Sequence, residues 1–108
     1  MDFQNAADRF GNSGAGTDDF KRLYKDMFEL MGRDTANAGL YFVIGTAAHA
    51  YVAQYEDQAV SSEFSDRAKD ILVGFNRKIS RALAADAATR LAILGEVAAE
   101  YQLRVAEF

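Results

Sequence analysis

Thr35–Tyr55 reads TANAGLYFVIGTAAHAYVAQY, twenty-one consecutive residues without a formal charge in a chain of 108 residues, 26% of which are charged. Charge is plentiful on either side, so this run is expected to be screened from water. Within it Leu40, Tyr41, Phe42, Val43 and Ile44 are consecutive, and on a helix five successive side chains cover the whole circumference. A helix apolar all round is either the central member of a bundle or a membrane span. The run is about the ~20 residues a bilayer requires. However, Asn37, Thr46, His49 and Gln54 interrupt it and no basic flank orients it, so the expectation is a buried central helix, capped at Asp34 and running to about Gln58, with no membrane involvement.

The segments around it read as its companions. Thr17 is a plausible cap for a helix whose first turn holds Asp18 and Asp19. Its apolar positions Phe20, Leu23, Tyr24, Met27, Phe28 and Met31 keep the helical period, and Gly32 is the expected stop. From Ser62, residues Phe64, Ala68, Ile71, Leu72, Phe75, Ile79, Ala82 and Leu83 trace an amphipathic helix with acidic residues at its start and Arg77, Lys78 and Arg81 at its end. Beyond a cap at Asp86, Leu91, Leu94, Ala98, Tyr101, Val105 and Phe108 alternate at spacings of three and four, a short heptad seam suited to shallow-angle packing. The connection from Ala82 to Arg90 holds no glycine or proline. Were it to stay helical, one long helix would force intertwined or swapped dimers.

At the amino end, Phe3, Ala6, Ala7 and Phe10 line one side of a short helix, followed by Gly11–Gly16, GNSGAG, the stretch richest in glycine. The expected architecture is therefore all-α: an antiparallel up-down four-helix bundle over residues 17–108, with residues 1–16 forming a loosely attached arm and flexible linker. Proline is absent altogether, which removes the strongest obstacle to long helices.

Composition excludes several chemistries. With no cysteine, disulfides, thiolate nucleophiles and thiolate metal sites are impossible, which also fits a reducing compartment. No export signal is read at the amino end, so a cytoplasmic location is expected. A formal net charge of −4 argues against nucleic acid as a partner. One histidine cannot supply the Glu-x-x-His pairs of a di-iron bundle, and the glycine-rich stretch lacks the lysine and preceding strand of a phosphate loop. No metal, cofactor or catalytic residue is expected.

His49 has Gly45, Thr46, Ala48, Ala50 and Ala53 as helical neighbours, small residues that leave an imidazole reachable. A reachable histidine in the middle of an acidic four-helix bundle resembles histidine phosphotransfer domains, and that resemblance implies His49 as phosphoacceptor. The family's motif has lysine three residues after the histidine and glycine at the fourth. Here those positions are Val52 and Ala53, so the cation that would steady a phosphoryl group is missing. The more common role for such a residue is a polar core group bonded to a carbonyl or hydroxyl on another helix, and that is the role expected here. Haem ligation is a third possibility.

Tyr41, Tyr51, Tyr55, Tyr24 and Tyr101 offer hydroxyls for a ligand pocket in the bundle core, but ring packing with hydroxyls at the solvent edge is the commoner arrangement. Residues 59–85 carry five basic against three acidic side chains, while 34–58 carry three acidic and no basic ones. Arg77, Lys78 and Arg81 thus form a basic patch suited to an acidic partner. Ile93 and Leu103 fall off the heptad stripe of the last helix and would stay wet in a monomer. Together these features point to a small regulatory or adaptor module acting through protein–protein contact, probing its partners with Arg77, Lys78, Arg81, Ile93 and Leu103, and self-associating as a homo-oligomer. Phosphotransfer at His49 and small-ligand binding in the core are the alternatives.

Overall fold

The computed structural model describes residues 1–104, and Val105 and Phe108 of the heptad seam lie outside the described residues. The described residues are all-helical and form five compactly packed helices, α1 (Phe3–Gly11), α2 (Thr17–Arg33), α3 (Ala38–Tyr55), α4 (Ser62–Leu83) and α5 (Ala87–Arg104), with a 3-10 turn, Thr35–Asn37, before α3. No described helix is long and apolar enough to cross a membrane.

The most extensive packing is between α2 and α3. The buried residues are Phe20, Leu23, Met27 and Leu30 on α2 and Leu40, Tyr41, Ile44, Ala47, Ala48, Tyr51 and Val52 on α3. Small residues set the separation. A Cβ on Gly45 would lie 2.7 Å from Cε1 of Phe28 and 3.1 Å from Cβ of Met27, so the helices touch nearly backbone to side chain. Phe28, expected inside, rests over this glycine and stays 40% exposed, while Leu30 takes the inward place. With Phe28 over Gly45 and Leu30 buried, the inward stripe of α2 is offset slightly from the expected one.

The amino-terminal segment departs from the expectation of a loose arm. Asp2 caps α1 by accepting a hydrogen bond from the Asn5 backbone N–H at 2.8 Å, and Phe3, Ala6 and Phe10 are buried in the core, with Phe10 edge-on to Phe20 at 5.2 Å. Three fully buried apolar side chains outweigh the mobility that the glycines invite. GNSGAG is pinned too: the Ser13 hydroxyl donates to the Phe10 carbonyl at 2.7 Å, Lys69 of α4 donates to the Ser13 carbonyl, and the Gly16 N–H donates to the Asp19 carboxylate at 3.3 Å.

Asp34 works differently from a simple cap. It closes α2, and its carboxylate accepts from the Asn37 amide at 2.9 Å and the Tyr41 hydroxyl at 2.7 Å. Those two hydrogen bonds hold its carboxyl below the usual range; burial first, then the bond to Asp34, pushes the Tyr41 phenol up to about 12. The central helix accordingly begins at Ala38, after the 3-10 turn, and ends at Tyr55 rather than Gln58. Ser61 caps α4 through the Phe64 N–H at 3.1 Å.

The chain does reverse between α4 and α5, and the reason is Arg90. Its guanidinium donates to the Ala82 carbonyl at 3.1 Å, the Ala85 carbonyl at 2.9 Å and Oδ1 of Asn37 at 2.9 Å. The Ala82 carbonyl, which also accepts from the Ala85 N–H, and the Leu83 and Ala85 carbonyls are thus gathered by a side chain from the first turn of α5, which is tied in turn to the entrance of α3. Asp86 caps α5 as expected, accepting from the Thr89 N–H at 2.8 Å. No turn residue with special dihedrals is required, and no described residue has positive φ.

Two consequences can be measured by thermal or denaturant unfolding. Gly45→Leu should destabilise by about 1–3 kcal/mol through overpacking against Met27 and Phe28, whereas Gly95→Ala, in open space within α5, should stabilise by up to ~1 kcal/mol from helix propensity. Arg90→Met should cost about 2 kcal/mol, since hydrogen bonds from a charged donor are lost and carbonyls are left open. Arg90→Lys should recover little of it, because an ammonium cannot reproduce a planar fork reaching four acceptors.

Candidate functional site

Being apolar all round, α3 was expected to be covered on every side. It is not. Phe42, Thr46, His49 and Ala53 recur at intervals of four, three and four, one face of a helix, and of these Phe42, His49 and Ala53 are exposed and Thr46 is half-buried. Phe42 leaves 53% of its surface in solvent. The opposite face is core, so the charge-free sequence of α3 is spent on two surfaces, one inward and one outward.

His49 therefore stands on the outside, a correction to its expected role as a polar core residue. The reason is geometric: Gly45 and Ala48, on the side of α3 turned to α2, take the close contact, and His49 falls just beyond its edge. Its imidazole lies edge-on to the Tyr24 ring at 4.9 Å and tilted to Phe28 at 6.4 Å. It has no hydrogen-bond partner among the described residues. No described group of His, Asp and Glu is arranged to hold a metal ion.

The outer face of α3 continues onto α5. Leu94 of α5 approaches Gly39, where an added Cβ would sit 3.3 Å from Cδ2 of the leucine. A shallow cleft of about 240 Å³ opens there, lined among others by Ala36, Leu40, Ala87, Leu91 and Leu94. The heptad seam read from the sequence only half closes. Leu94 and Tyr101 pack against the core, but Ala98 is exposed and Leu91 is 70% exposed. Val97, which the spacing did not single out, is the α5 residue that is fully buried. The helix is rolled so that Arg90, Ile93, Leu94 and Val97 face inward, a rotation imposed by the Arg90 clamp.

The remaining candidates separate. Ile93 is half-buried against the core, contrary to the expectation that a single molecule would leave it wet, whereas Leu103 is 86% exposed as expected. The basic patch is not one surface. Lys78 is held by Glu96 at 2.7 Å and Glu100 at 2.9 Å, and these hydrogen bonds raise the lysine's pKa and lower that of Glu96. Arg77 and Arg81 are exposed and point their surface toward α1 instead, where both line a cleft between α1 and α4.

The tyrosines do not converge. Tyr41 bonds to Asp34 at the entrance of α3, while Tyr51 stacks on Phe20 at 4.1 Å and, with Tyr55, meets Phe64 at the far end of that helix. Tyr51 and Tyr55 line an open cleft of about 560 Å³ together with Thr17, Ser62 and Ser65, while Tyr41 stands at the other end of α3. No protein-family model matches the chain, and no curated protein or solved structure is significantly similar to it.

Proposed function

We propose that the protein is a small cytoplasmic regulatory or adaptor module that acts by protein–protein contact and self-associates through the outer face of α3. The observation that carries this reading is the exposure of Phe42 and its neighbours on a helix without a single charge. A solvent-facing helix surface ordinarily carries charged residues, and exposed apolar area of this kind marks association surfaces. In the same reading α2 to α5 form the antiparallel up-down frame and α1 braces it. The absence of cysteine supports a reducing compartment.

A second copy of the chain suits the face by its spacing. Two α3 helices meeting antiparallel about a twofold axis between residues 47 and 48 would set Phe42 against the partner's Ala53 and Thr46 against the partner's His49, large opposite small at both ends. Twofold interfaces use one self-complementary patch twice, and this patch has that property. Leu91, Leu94 and Phe28 flank it and extend the contact to α5 and α2.

Light scattering coupled to size-exclusion chromatography should give twice the 11.9 kDa chain mass for the wild type, and the chain mass for Phe42→Glu with an unchanged helical circular-dichroism spectrum. A wild type that stays monomeric at millimolar concentration, or a Phe42→Glu variant that stays dimeric, contradicts the proposed face.

The exposure of His49 favours a second reading, in which it accepts a phosphoryl group as in histidine phosphotransfer domains. Incubation with a low-molecular-weight phosphodonor should then leave acid-labile label on the wild type and none on His49→Gln. Self-association through α3 would cover the imidazole, so labelling confined to a monomeric pool separates the two readings.

A further inference from the structure

His49 is the only histidine of the chain, and histidine is the side chain whose ordinary titration falls between pH 5 and 8. It stands within the uncharged outer face of α3, exposed, with the Tyr24 ring edge-on at 4.9 Å and the Phe28 ring at 6.4 Å. Across a twofold axis between residues 47 and 48, each imidazole is level with the Thr46 hydroxyl of the second copy. The same axis sets the two imidazoles about 4.5 Å apart along the helix direction, the rise of three residues. A protonated pair there puts two like charges side by side in a contact that excludes water. Repulsion is strongest in such a place, and desolvation disfavours the charged form.

The surrounding groups do not offset that charge. From Ala38 to Tyr55 α3 carries no charged side chain, and Glu56, which follows, is bound to Lys21 of α2. On α2 the charged residues at helical spacing from the Tyr24 and Phe28 rings are Lys21 and Lys25, both cations. On α5, Glu96 and Glu100 are held by Lys78 of α4, and Arg90 is held by backbone carbonyls and Asn37. α4 meets α3 through Phe64 at the Tyr51 and Tyr55 rings. A second copy brings the same groups to the contact, so the imidazolium gains a hydroxyl and two more lysines as neighbours and no unengaged carboxylate.

We propose that acid switches off self-association through α3, because each copy must hold His49 neutral to join and protons taken up by the separate chains keep them apart. The switch rests on the α3 contact proposed above. Its sign is opposite to that of the whole-molecule charge. Each chain carries a formal net charge of −4 and so repels its copy, a repulsion that acidification relieves. Weakening at low pH is therefore a signature of the imidazole pair and not of net charge.

The test is sedimentation equilibrium of the full chain between about pH 7.5 and about pH 5.5, a window in which ordinary carboxylates stay ionised. The wild-type dissociation constant should rise at least ~10-fold on acidification, because two imidazole protons are linked to each association. His49→Gln, whatever its affinity, should change less than ~2-fold across the same window. Calorimetric dilution of the wild type at about pH 6, in buffers of different ionisation enthalpy, should show roughly one to two protons taken up as each dimer separates. The switch is overturned, with self-association left standing, by a wild-type dimer whose dissociation constant stays flat or falls with acid, by an equal pH dependence in His49→Gln, or by separation without proton uptake. A wild type that is monomeric at both ends of the window overturns the switch and the α3 contact together.

Discussion

The contact between α2 and α3 at Gly45 governs the rest of the molecule. With hydrogen at that position, Met27 and Phe28 approach the α3 backbone closely, and this fixes the rotation of both helices. Once Gly45 and Ala48 are committed to α2 and Leu40, Ile44 and Ala47 to the core, the residues left over on α3 are Phe42, Thr46, His49 and Ala53, and they must face outward. The exposure of the only histidine and of a large aromatic ring is therefore not an accident of the surface. It follows from where the smallest residues of the helix stand.

Much of the architecture is legible from the residues. Serine and aspartate before apolar runs mark the starts of α4 and α5, and the inward stripes of α2 and α4 follow from spacing alone, because each of those helices has one apolar side and one charged side. α3 gives no such signal. Its residues are apolar or neutral all round, so periodicity cannot tell which side meets α2 and which meets water, and the covering of every side was a reasonable but mistaken expectation. α5 misled for a related reason. Leu91, Leu94 and Ala98 have the regularity of a seam, yet the roll of the helix is set by Arg90, whose role depends on carbonyls of α4 and an amide before α3 that lie far from it in sequence. The amino-terminal segment shows the opposite imbalance: its glycines are conspicuous, while the burial of Phe3 and Phe10 depends on a groove that exists only once α2 and α4 are in place.

Function was less legible than fold. The basic residues near the end of α4 look like one patch in the sequence, but a helix distributes Arg77, Lys78 and Arg81 around its axis, and the carboxylates of α5 claim only the lysine. The two arginines line the same cleft as Asn76 and Ser80, and no spacing rule discloses that Asn76 is buried, since an asparagine within an amphipathic helix ordinarily passes for a surface residue. What results is a molecule with two distinct surfaces, an uncharged one on α3 and a polar one between α1 and α4.

The clamp around Arg90 also sets the order in which the native state comes apart. Between Ala82 and Arg90 the reversal rests on two side chains, Asp86 capping α5 and the Arg90 guanidinium seated among its acceptors. α5 beyond it contributes one fully buried side chain, Val97, and a lysine bridge to two surface glutamates. The last helix is thus a cooperative unit of low intrinsic protection, able to undock while α2 and α3 remain intact. Because α5 adds so little fully buried surface, its amides are expected to exchange with solvent earlier than those of α2 and α3.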